Sequence, residues 1–331
     1  MENLPKVSIC IPTYNSEMYL EETLFSIENQ TYSNIEVIIS DNCSTDNTIA
    51  LIKKFAAKNN WTYILNEQNI GAGLNMNKLI TSATGEFIAI YHSDDVYDSE
   101  IVSKSVSFLT TSPECGFLST LATVIDSDGN ELGMLDLPKS LKSKKRNIYN
   151  FEEIFAAILD SFLPFLITPT VMVRKSAYDE LGQFKIHEKY KSAGDYEMWL
   201  RILKKFPAGI IPESLVKYRK HAQQGSQKEI RENYGLPDGL IVYEEYAIGN
   251  KLLEKKYQRV YSYLLMLQVL KLNDKKDFQN SAEMVKLIQR NGNYSYSVLA
   301  TLFNIFNYTS IRFNINYLNG VKRMFLSTKG K

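Results

Sequence analysis

The first hundred residues alternate short apolar runs with segments whose apolar side chains recur every three or four positions. The runs predict strands and the periodic segments predict helices, an order typical of βα units around a mainly parallel sheet. The predicted strands are 7–11, 35–40, 61–65 and 87–91. The predicted helices are one through Leu20, Leu24 and Ile27, capped by Asn15 or Ser16, and two more at 48–58 and 75–83.

The pattern changes twice along the remaining chain. Residues 151–161 and 194–205 predict helices, with a strand at 165–173 between them. Beyond Lys228 a long helical periodicity places Leu253, Tyr257 and Val260 on one face. We therefore expect an α/β domain over residues 1–228 and a helical C-terminal region over 229–331.

Composition excludes several classes of protein. With 38 Lys and Arg against 37 Asp and Glu in 331 residues, the formal charge of +1 lacks the basic footprint of a nucleic-acid-binding protein. Three cysteines without metal-ligand spacing and an N-terminus without a basic signal region indicate a cytoplasmic chain. The aromatic tail at 294–325 would pack on the main domain, form a homodimer interface or touch a membrane surface peripherally.

Acidic side chains follow two of the predicted strands. Asp94 and Asp95 come directly after the apolar strand 87–91, and Asp41 ends the strand at 35–40. Carboxylate oxygens are the ligands that Mg²⁺ and Mn²⁺ prefer when these ions hold a diphosphate. Taken alone, the Asp94-Asp95 pair fits a helix cap equally well. Asp41 is placed to accept a hydrogen bond from the imide N–H of a uracil, whereas Asp46 is predicted to build the turn and to cap the helix that starts near residue 48.

Four ordered segments make the chain resemble the family 2 glycosyltransferases over roughly residues 5–225. They are VSICIPTYN, DNCSTDNT, NIGAGLNMNKLITSATGEFIAIYHSDD and AGDYEMWLRI. The resemblance implies an inverting enzyme with the glycosyltransferase-A fold, whose residues 1–100 mainly bind the nucleotide and 101–228 mainly face the acceptor. It implies Mn²⁺ or Mg²⁺ as cofactor, a nucleotide-sugar donor and a glycan or lipid-linked acceptor.

The resemblance also assigns donor-side residues. The nucleotide would be contacted by Pro12, Tyr14, Asn15, Asp41, Asn69, Gly71, Asn77 and Asp94. Asp94 matches the principal metal-binding aspartate, and Asp95 is implied as a secondary ligand or an orienting group. The sequence departs from the family pattern at His92, which stands in the first acidic position, and at Met76, which replaces an arginine common in the family.

On the acceptor side, Asp195 resembles the catalytic base, which takes a proton from the attacking hydroxyl. Without the resemblance, a helix N-cap is the better interpretation of Asp195. Glu197 and Trp199 are expected on the acceptor side, and Glu197 could instead pair with Arg201 one turn later. His221 is implied as a third metal ligand or a phosphate contact, with a plain surface histidine nearly as compatible.

The predicted function is therefore transfer of a hexose or deoxyhexose, with a UDP-sugar as the preferred donor, in surface polysaccharide biosynthesis. Two alternatives stay open at this point. A sugar nucleotidyltransferase would carry a glycine-rich basic loop after the first strand, where this sequence has PTYNS. A non-catalytic scaffold of the same fold is favoured by His92 and Met76 and disfavoured by the retained aspartates.

Overall fold

A computed structural model describes residues 4–162, 165–187, 189–224, 235–291, 296–298 and 300–301. The chain divides into two compact units at about residue 228. The described strands of the first unit are β1 (Val7–Thr13), β2 (Ile35–Asp41), β3 (Thr62–Leu65), β4 (Phe87–Ile90), β5 (Val96–Tyr97), β6 (Phe117–Ile125), β7 (Glu131–Leu135), β8 (Ile148–Tyr149), β9 (Val171–Arg174) and β10 (Ala208–Arg219). Its described α-helices are α1 (Leu20–Glu28), α2 (Thr48–Asn59), α3 (Ala72–Ser82), α4 (Ile101–Thr111), α5 (Lys139–Lys142), α6 (Phe151–Ser161), α7 (Lys175–Leu181) and α8 (Gly194–Leu203).

The described strands form one sheet in the order β3-β2-β1-β4-β9-β6-β10-β5, with β7 beside β6 and β8 beside β10. Strands β3, β2, β1 and β4 are parallel neighbours, and β6 and β10 are parallel to each other. Strand β9 is antiparallel to both β4 and β6, so β4 and β6 point the same way. The predicted α/β class with a mainly parallel sheet is confirmed.

One face of the first strand belongs to the main hydrophobic core cluster. Val7, Ile9 and Ile11 are fully buried and belong to the same cluster as Leu20 and Leu24 of α1. Alternate side chains of a strand point to the same face, so this face of β1 packs against the apolar side of α1. This packing fixes the position of β1 and, with it, the position of the polar residues that follow its carboxyl end.

Three predicted boundaries are wrong. Helix α1 begins at Leu20 after Tyr19, which makes no side-chain cap, so neither Asn15 nor Ser16 is the N-cap. Helix α3 begins at Ala72 because Gly71, at φ 85°, turns the chain just before it. The strand predicted at 165–173 is confined to β9, which follows a short 3₁₀ turn at Thr168–Thr170.

The second unit is helical in the residues described. It contains α9 (Gly239–Ala247), α10 (Lys251–Asp274) and α11 (Phe278–Asn291). Leu253, Tyr257 and Val260 are buried on α10, and the Asn250 side chain accepts hydrogen bonds from the first turn of that helix. Most of the aromatic tail at 294–325 lies outside the described residues, as do the expectations that rest on it. Among the described helices, none combines the length and apolar character needed to cross a membrane.

Candidate active site

The parallel strands bring five polar loops to one edge of the sheet. Strands β1, β2, β4, β6 and β10 point the same way, so the loops that follow them emerge together. Open α/β sheets bind their ligands at this carboxyl edge. Asp41, Asp94 and His221 all lie at or just beyond such strand ends.

An acidic cluster stands at the end of β4. His92, Asp94 and Asp95 each offer one ligand atom, and these atoms all lie within 4.8 Å of one another. Asp95 is fully buried, and its Oδ1 accepts a hydrogen bond of 2.8 Å from the backbone N–H of Arg219. Within the described residues, Asp95 Oδ2 is buried without a hydrogen-bond partner. A buried carboxylate oxygen that lacks a donor is the observation that fits a bound cation.

The ionisation of this cluster follows from its burial. Burial, followed by the charge of Asp94, raises the pKa of Asp95 well above its usual value. Burial lowers the pKa of His92 although Asp94 acts in the opposite direction, which favours the neutral imidazole that a metal requires. Two carboxylates and a neutral imidazole suit Mn²⁺, while Mg²⁺ would rely on the oxygens.

His221 joins the cluster from the far end of the sequence. Its Nε2 lies 3.0 Å from Asp94 Oδ2, and its ring centroid lies 4.9 Å from that of Tyr19. The hydrogen bond to Asp94 raises the pKa of His221. The structure thus brings the expected metal-site residues Asp94, Asp95 and His221 together. It adds His92, which the sequence singled out only as a departure from the family pattern.

Hydrogen bonds join the loop after β1 to the loop after β2. Asp41 is fully buried, and its Oδ2 accepts from the Ser44 N–H at 2.8 Å. Its Oδ1 accepts from the hydroxyls of Ser44 at 2.5 Å and Thr13 at 3.1 Å. The Asn15 side-chain oxygen accepts from the Thr45 N–H at 2.9 Å. Asp41 therefore builds the turn, and its direct contact with a base stays a prediction.

The same region holds three more of the expected residues. Tyr14 is 49% exposed beyond the end of β1, where a flat ligand has access to its ring, and Pro12 is half-buried within the strand. Asp46 accepts hydrogen bonds from the N–H groups of Thr48 and Glu17. The predicted turn-building role of Asp46 is confirmed, but the N-cap residue of α2 is Asn47.

The loop before α3 is organised by amide side chains. The Asn69 side-chain oxygen accepts from Asn42 at 2.8 Å and from the Gly71 N–H at 2.9 Å, which leaves this exposed loop preformed. Asn77 differs from expectation. Its amide donates to the Phe184 carbonyl at 2.8 Å and accepts from the Phe184 N–H at 3.0 Å. Both ends of the Asn77 side chain thus hold a loop rather than a nucleotide.

That loop links α3 to the helix that carries the expected base. A Cβ built on Gly73 would lie 2.5 Å from Ile186 Cδ1, so the loop packs closely on the first turns of α3. Asp195 is half-buried in the first turn of α8, and its Oδ1 accepts from the Tyr196 N–H at 2.8 Å. Because α8 already begins at Gly194, Asp195 is not the N-cap.

Glu197 and Trp199 are buried rather than presented to an acceptor. Glu197 is fully buried and pairs with Lys185 Nζ at 2.7 Å and Arg201 Nε at 3.1 Å. Trp199 is 2% exposed, with its ring centroid 5.7 Å from that of Phe117. These contacts assign Glu197 to ion pairs with Lys185 and Arg201, and Trp199 to the core.

Comparison with known proteins identifies relatives of this arrangement. The model of the family named Glycosyl transferase family 2 matches residues 8–182. The uncharacterized glycosyltransferase MJ1057 of Methanocaldococcus jannaschii is 29% identical over 98% of this chain and 97% of its own length. TuaG of Bacillus subtilis, whose name assigns it to teichuronic acid biosynthesis, is 28% identical over 65% of this chain and 79% of its own.

Solved structures resemble the fold across nearly the whole chain. TarS 1–349 of S. aureus in complex with UDP-GlcNAc superposes with a TM-score of 0.61, at 20% identity, over 92% of this chain and 89% of that one. The mannosyltransferase PcManGT of Pyrobaculum calidifontis, in complex with GDP-Man and Mn²⁺, gives a TM-score of 0.57 at 18% identity, over 93% of this chain and 82% of that one. The predicted glycosyltransferase-A fold is confirmed.

Proposed function

The chain belongs to glycosyl transferase family 2, and on that premise we propose that it moves a sugar from a nucleoside diphosphate to a hydroxyl group with inversion. The observation that carries the proposal is the cluster at the end of β4. There, one buried carboxylate oxygen of Asp95 lacks a donor among the described residues, and Asp94 lies within hydrogen-bond distance of His221.

The proposed donor site uses the edge of the sheet from β2 to β4. Asp94, Asp95 and His221, with His92, would hold a divalent cation, which when bound stabilises the negative charge of a leaving diphosphate. Tyr14 offers an exposed ring beside this edge, and Asn15 fixes the loop that carries it. Asp41 shapes the turn on which a base would rest.

Asp195 is the proposed general base. Single-displacement inversion needs one carboxylate near the acceptor hydroxyl, to take its proton as the oxygen attacks the anomeric carbon. Asp195 is half-buried in the first turn of α8, and the ion pair of the buried Glu197 with the exposed Lys185 ties that helix to the loop before it. This anchoring would keep the Asp195 carboxylate in a fixed position.

The substrate class is proposed from the relatives. TarS is titled as a complex with UDP-GlcNAc and PcManGT as a complex with GDP-Man and Mn²⁺. The name of TuaG refers to a surface polysaccharide. We therefore place this chain in surface polysaccharide biosynthesis, with a UDP-sugar as the preferred donor and a glycan or lipid-linked glycan as the acceptor.

The test is release of nucleoside diphosphate from a panel of UDP-, GDP- and dTDP-sugars with Mn²⁺ or Mg²⁺. We expect one donor to be hydrolysed slowly and to be consumed faster when its acceptor is present. Asp195→Asn should reduce turnover at least 100-fold, since general base catalysis contributes about 10²–10⁴-fold, and should leave donor binding unchanged.

The matched control is Asp179→Asn, which makes the same change at an aspartate whose side chain is 60% exposed and pairs with Lys175 on α7. It should turn over like the wild type. Normal turnover by Asp195→Asn would remove the base assignment. Absence of binding to every nucleotide in the panel would favour a scaffold, and pyrophosphate release from a nucleoside triphosphate and a sugar phosphate would favour a nucleotidyltransferase.

A further inference from the structure

Arg219, the last residue of β10, is a charged side chain in an unusual environment. It is 2% exposed, although β10 ends at the polar edge of the sheet and its neighbour Lys220 is exposed. A buried charge is costly unless every donor finds an acceptor. The environment of Arg219 therefore has to be accounted for contact by contact.

The guanidinium is satisfied by three separate segments. Its Nε donates to the Asp94 carbonyl at 3.0 Å, and its Nη1 donates to the carbonyls of Asp126 and Ser127 at 3.3 Å each. Its Nη2 pairs with Glu22 of α1 at 2.5 Å. The planar fork can reach all of these acceptors at once, which the single ammonium of a lysine cannot do.

The backbone of the same residue holds the neighbouring carboxylate. The Arg219 N–H donates to Asp95 Oδ1 at 2.8 Å, whereas Oδ2 meets no donor in the part of the chain that the structure describes. One residue thus fixes the main chain at Asp94 and the side chain at Asp95.

We propose that Arg219 is a positioning residue, which with Glu22 sets the main chain at Asp94 and the carboxylate of Asp95 in advance for a divalent cation. The inference rests on the proposed function only in taking this cluster as the metal site. Groups that orient metal ligands typically change metal affinity by about 10–100-fold when they are removed. Preorganisation has this effect because the ligands need not be ordered when the ion binds.

The experiment measures the affinity of the full chain for Mn²⁺ alone, from the free-ion signal in electron paramagnetic resonance. Arg219→Lys keeps the positive charge but removes the planar guanidinium that reaches several acceptors at once. It should raise the dissociation constant for Mn²⁺ about tenfold. Glu22→Gln, at a side chain that is 57% exposed, should raise it about threefold. Lys217→Gln removes an exposed charge from the same strand and should leave the dissociation constant for Mn²⁺ unchanged.

A packing variant separates positioning from loss of stability. Val216 is 2% exposed in the core, on the same strand as Arg219, so Val216→Ala should lower the melting temperature without changing the affinity for Mn²⁺. Wild-type affinity in folded Arg219→Lys would overturn the proposal. If that variant does not fold, wild-type affinity in Glu22→Gln overturns it instead.

The remaining outcomes distinguish this proposal from the proposed function. Absence of Mn²⁺ binding by the wild-type chain overturns the positioning role. If the wild type binds Mn²⁺ and the variants bind it more weakly, the role of Arg219 stands even where no sugar is transferred. If sugar is transferred and the folded variants bind Mn²⁺ normally, the proposed function stands and the role of Arg219 falls.

Discussion

His221 Nε2 lies 3.0 Å from Asp94 Oδ2 and thereby joins two residues that are 127 positions apart in the chain. At the carboxyl edge of the sheet, the contact links the loop after β4, which carries Asp94, to the loop after β10, which carries His221. It places an imidazole beside the acidic pair, as a third metal ligand requires.

The first prediction concerns this imidazole. His221→Ala should weaken Mn²⁺ binding about tenfold or more, since it removes either a ligand or a group that orients Asp94. Calorimetric titration with Mn²⁺ measures the change. His187→Ala is the matched control, because His187 is exposed and its Nδ1 accepts a hydrogen bond from the Lys189 N–H. Equal affinities in the two variants would exclude His221 from the site.

A second prediction separates loop anchoring from nucleotide contact at Asn77. Asn77→Leu removes both hydrogen bonds to Phe184, so the loop before α8 should loosen and transfer should fall about tenfold or more, since misplacement of a catalytic group far from the mutation can cost about 100-fold. Binding of nucleoside diphosphate with Mn²⁺ should be retained. The prediction would be contradicted if the variant lost nucleotide binding while hydrogen exchange at residues 182–187 stayed unchanged. That result would indicate that Asn77 contacts the donor.

The third prediction concerns the close approach of Gly85 to β1. A Cβ at this position would lie 2.7 Å from the Ser8 backbone nitrogen and 2.8 Å from the Lys6 carbonyl oxygen. The main chain would have to move, so Gly85→Ala should lower the free energy of unfolding by about 1–3 kcal/mol. Gly194→Ala is the control in urea denaturation, because its new methyl group meets no atom nearer than 4.0 Å.

The fourth prediction is a pH dependence of stability at Glu36. Burial acts to raise the pKa of this carboxyl, but hydrogen bonds from Lys6, Ser8 and Thr84 outweigh it and lower the pKa to about 2. A folded-state pKa below the ordinary 4.5 means that Glu36 stabilises the fold above pH 4.5 and that this contribution is lost as the pH falls toward 2.

The matching experiment compares urea denaturation of the wild type and Glu36→Gln. The variant should be less stable by about 1–3 kcal/mol at pH 7. The difference in unfolding free energy should be smaller at pH 3, because below pH 4.5 the ionised Glu36 carboxyl contributes less to the stability of the wild type. Glu131→Gln, at an exposed position on β7, should show neither effect. A difference that stays constant between pH 7 and pH 3 would contradict the prediction.

The strand ends were predictable from the sequence because a short apolar run and the polar residues that follow it are local properties. Asp94 and Asp95 at the end of β4 needed only the apolar run before them. Asp46 was likewise assigned correctly to the turn before α2, since a side chain that bonds to a backbone N–H two residues later is a short-range interaction.

Residues whose environment depends on distant segments were not predictable. The burial of Arg219 requires Glu22, Asp94 and Asp126 to surround it, and no pattern near residue 219 records that. Trp199 likewise follows the expected base by one helical turn, yet its side chain is buried against Phe117, a contact that only the tertiary structure sets. A sequence motif shows which residues are neighbours in the chain. Whether their side chains are exposed depends on the tertiary structure.

The account rests most directly on metal-dependent nucleotide binding at Asp94 and Asp95. The decisive measurement is calorimetric titration of UDP and GDP into the wild-type chain and Asp94→Asn, each with Mn²⁺ and with a chelator. We predict that one nucleotide binds the wild type only when Mn²⁺ is present and that Asp94→Asn does not bind it. Equally tight binding by the variant, or binding that is indifferent to Mn²⁺, would contradict the account.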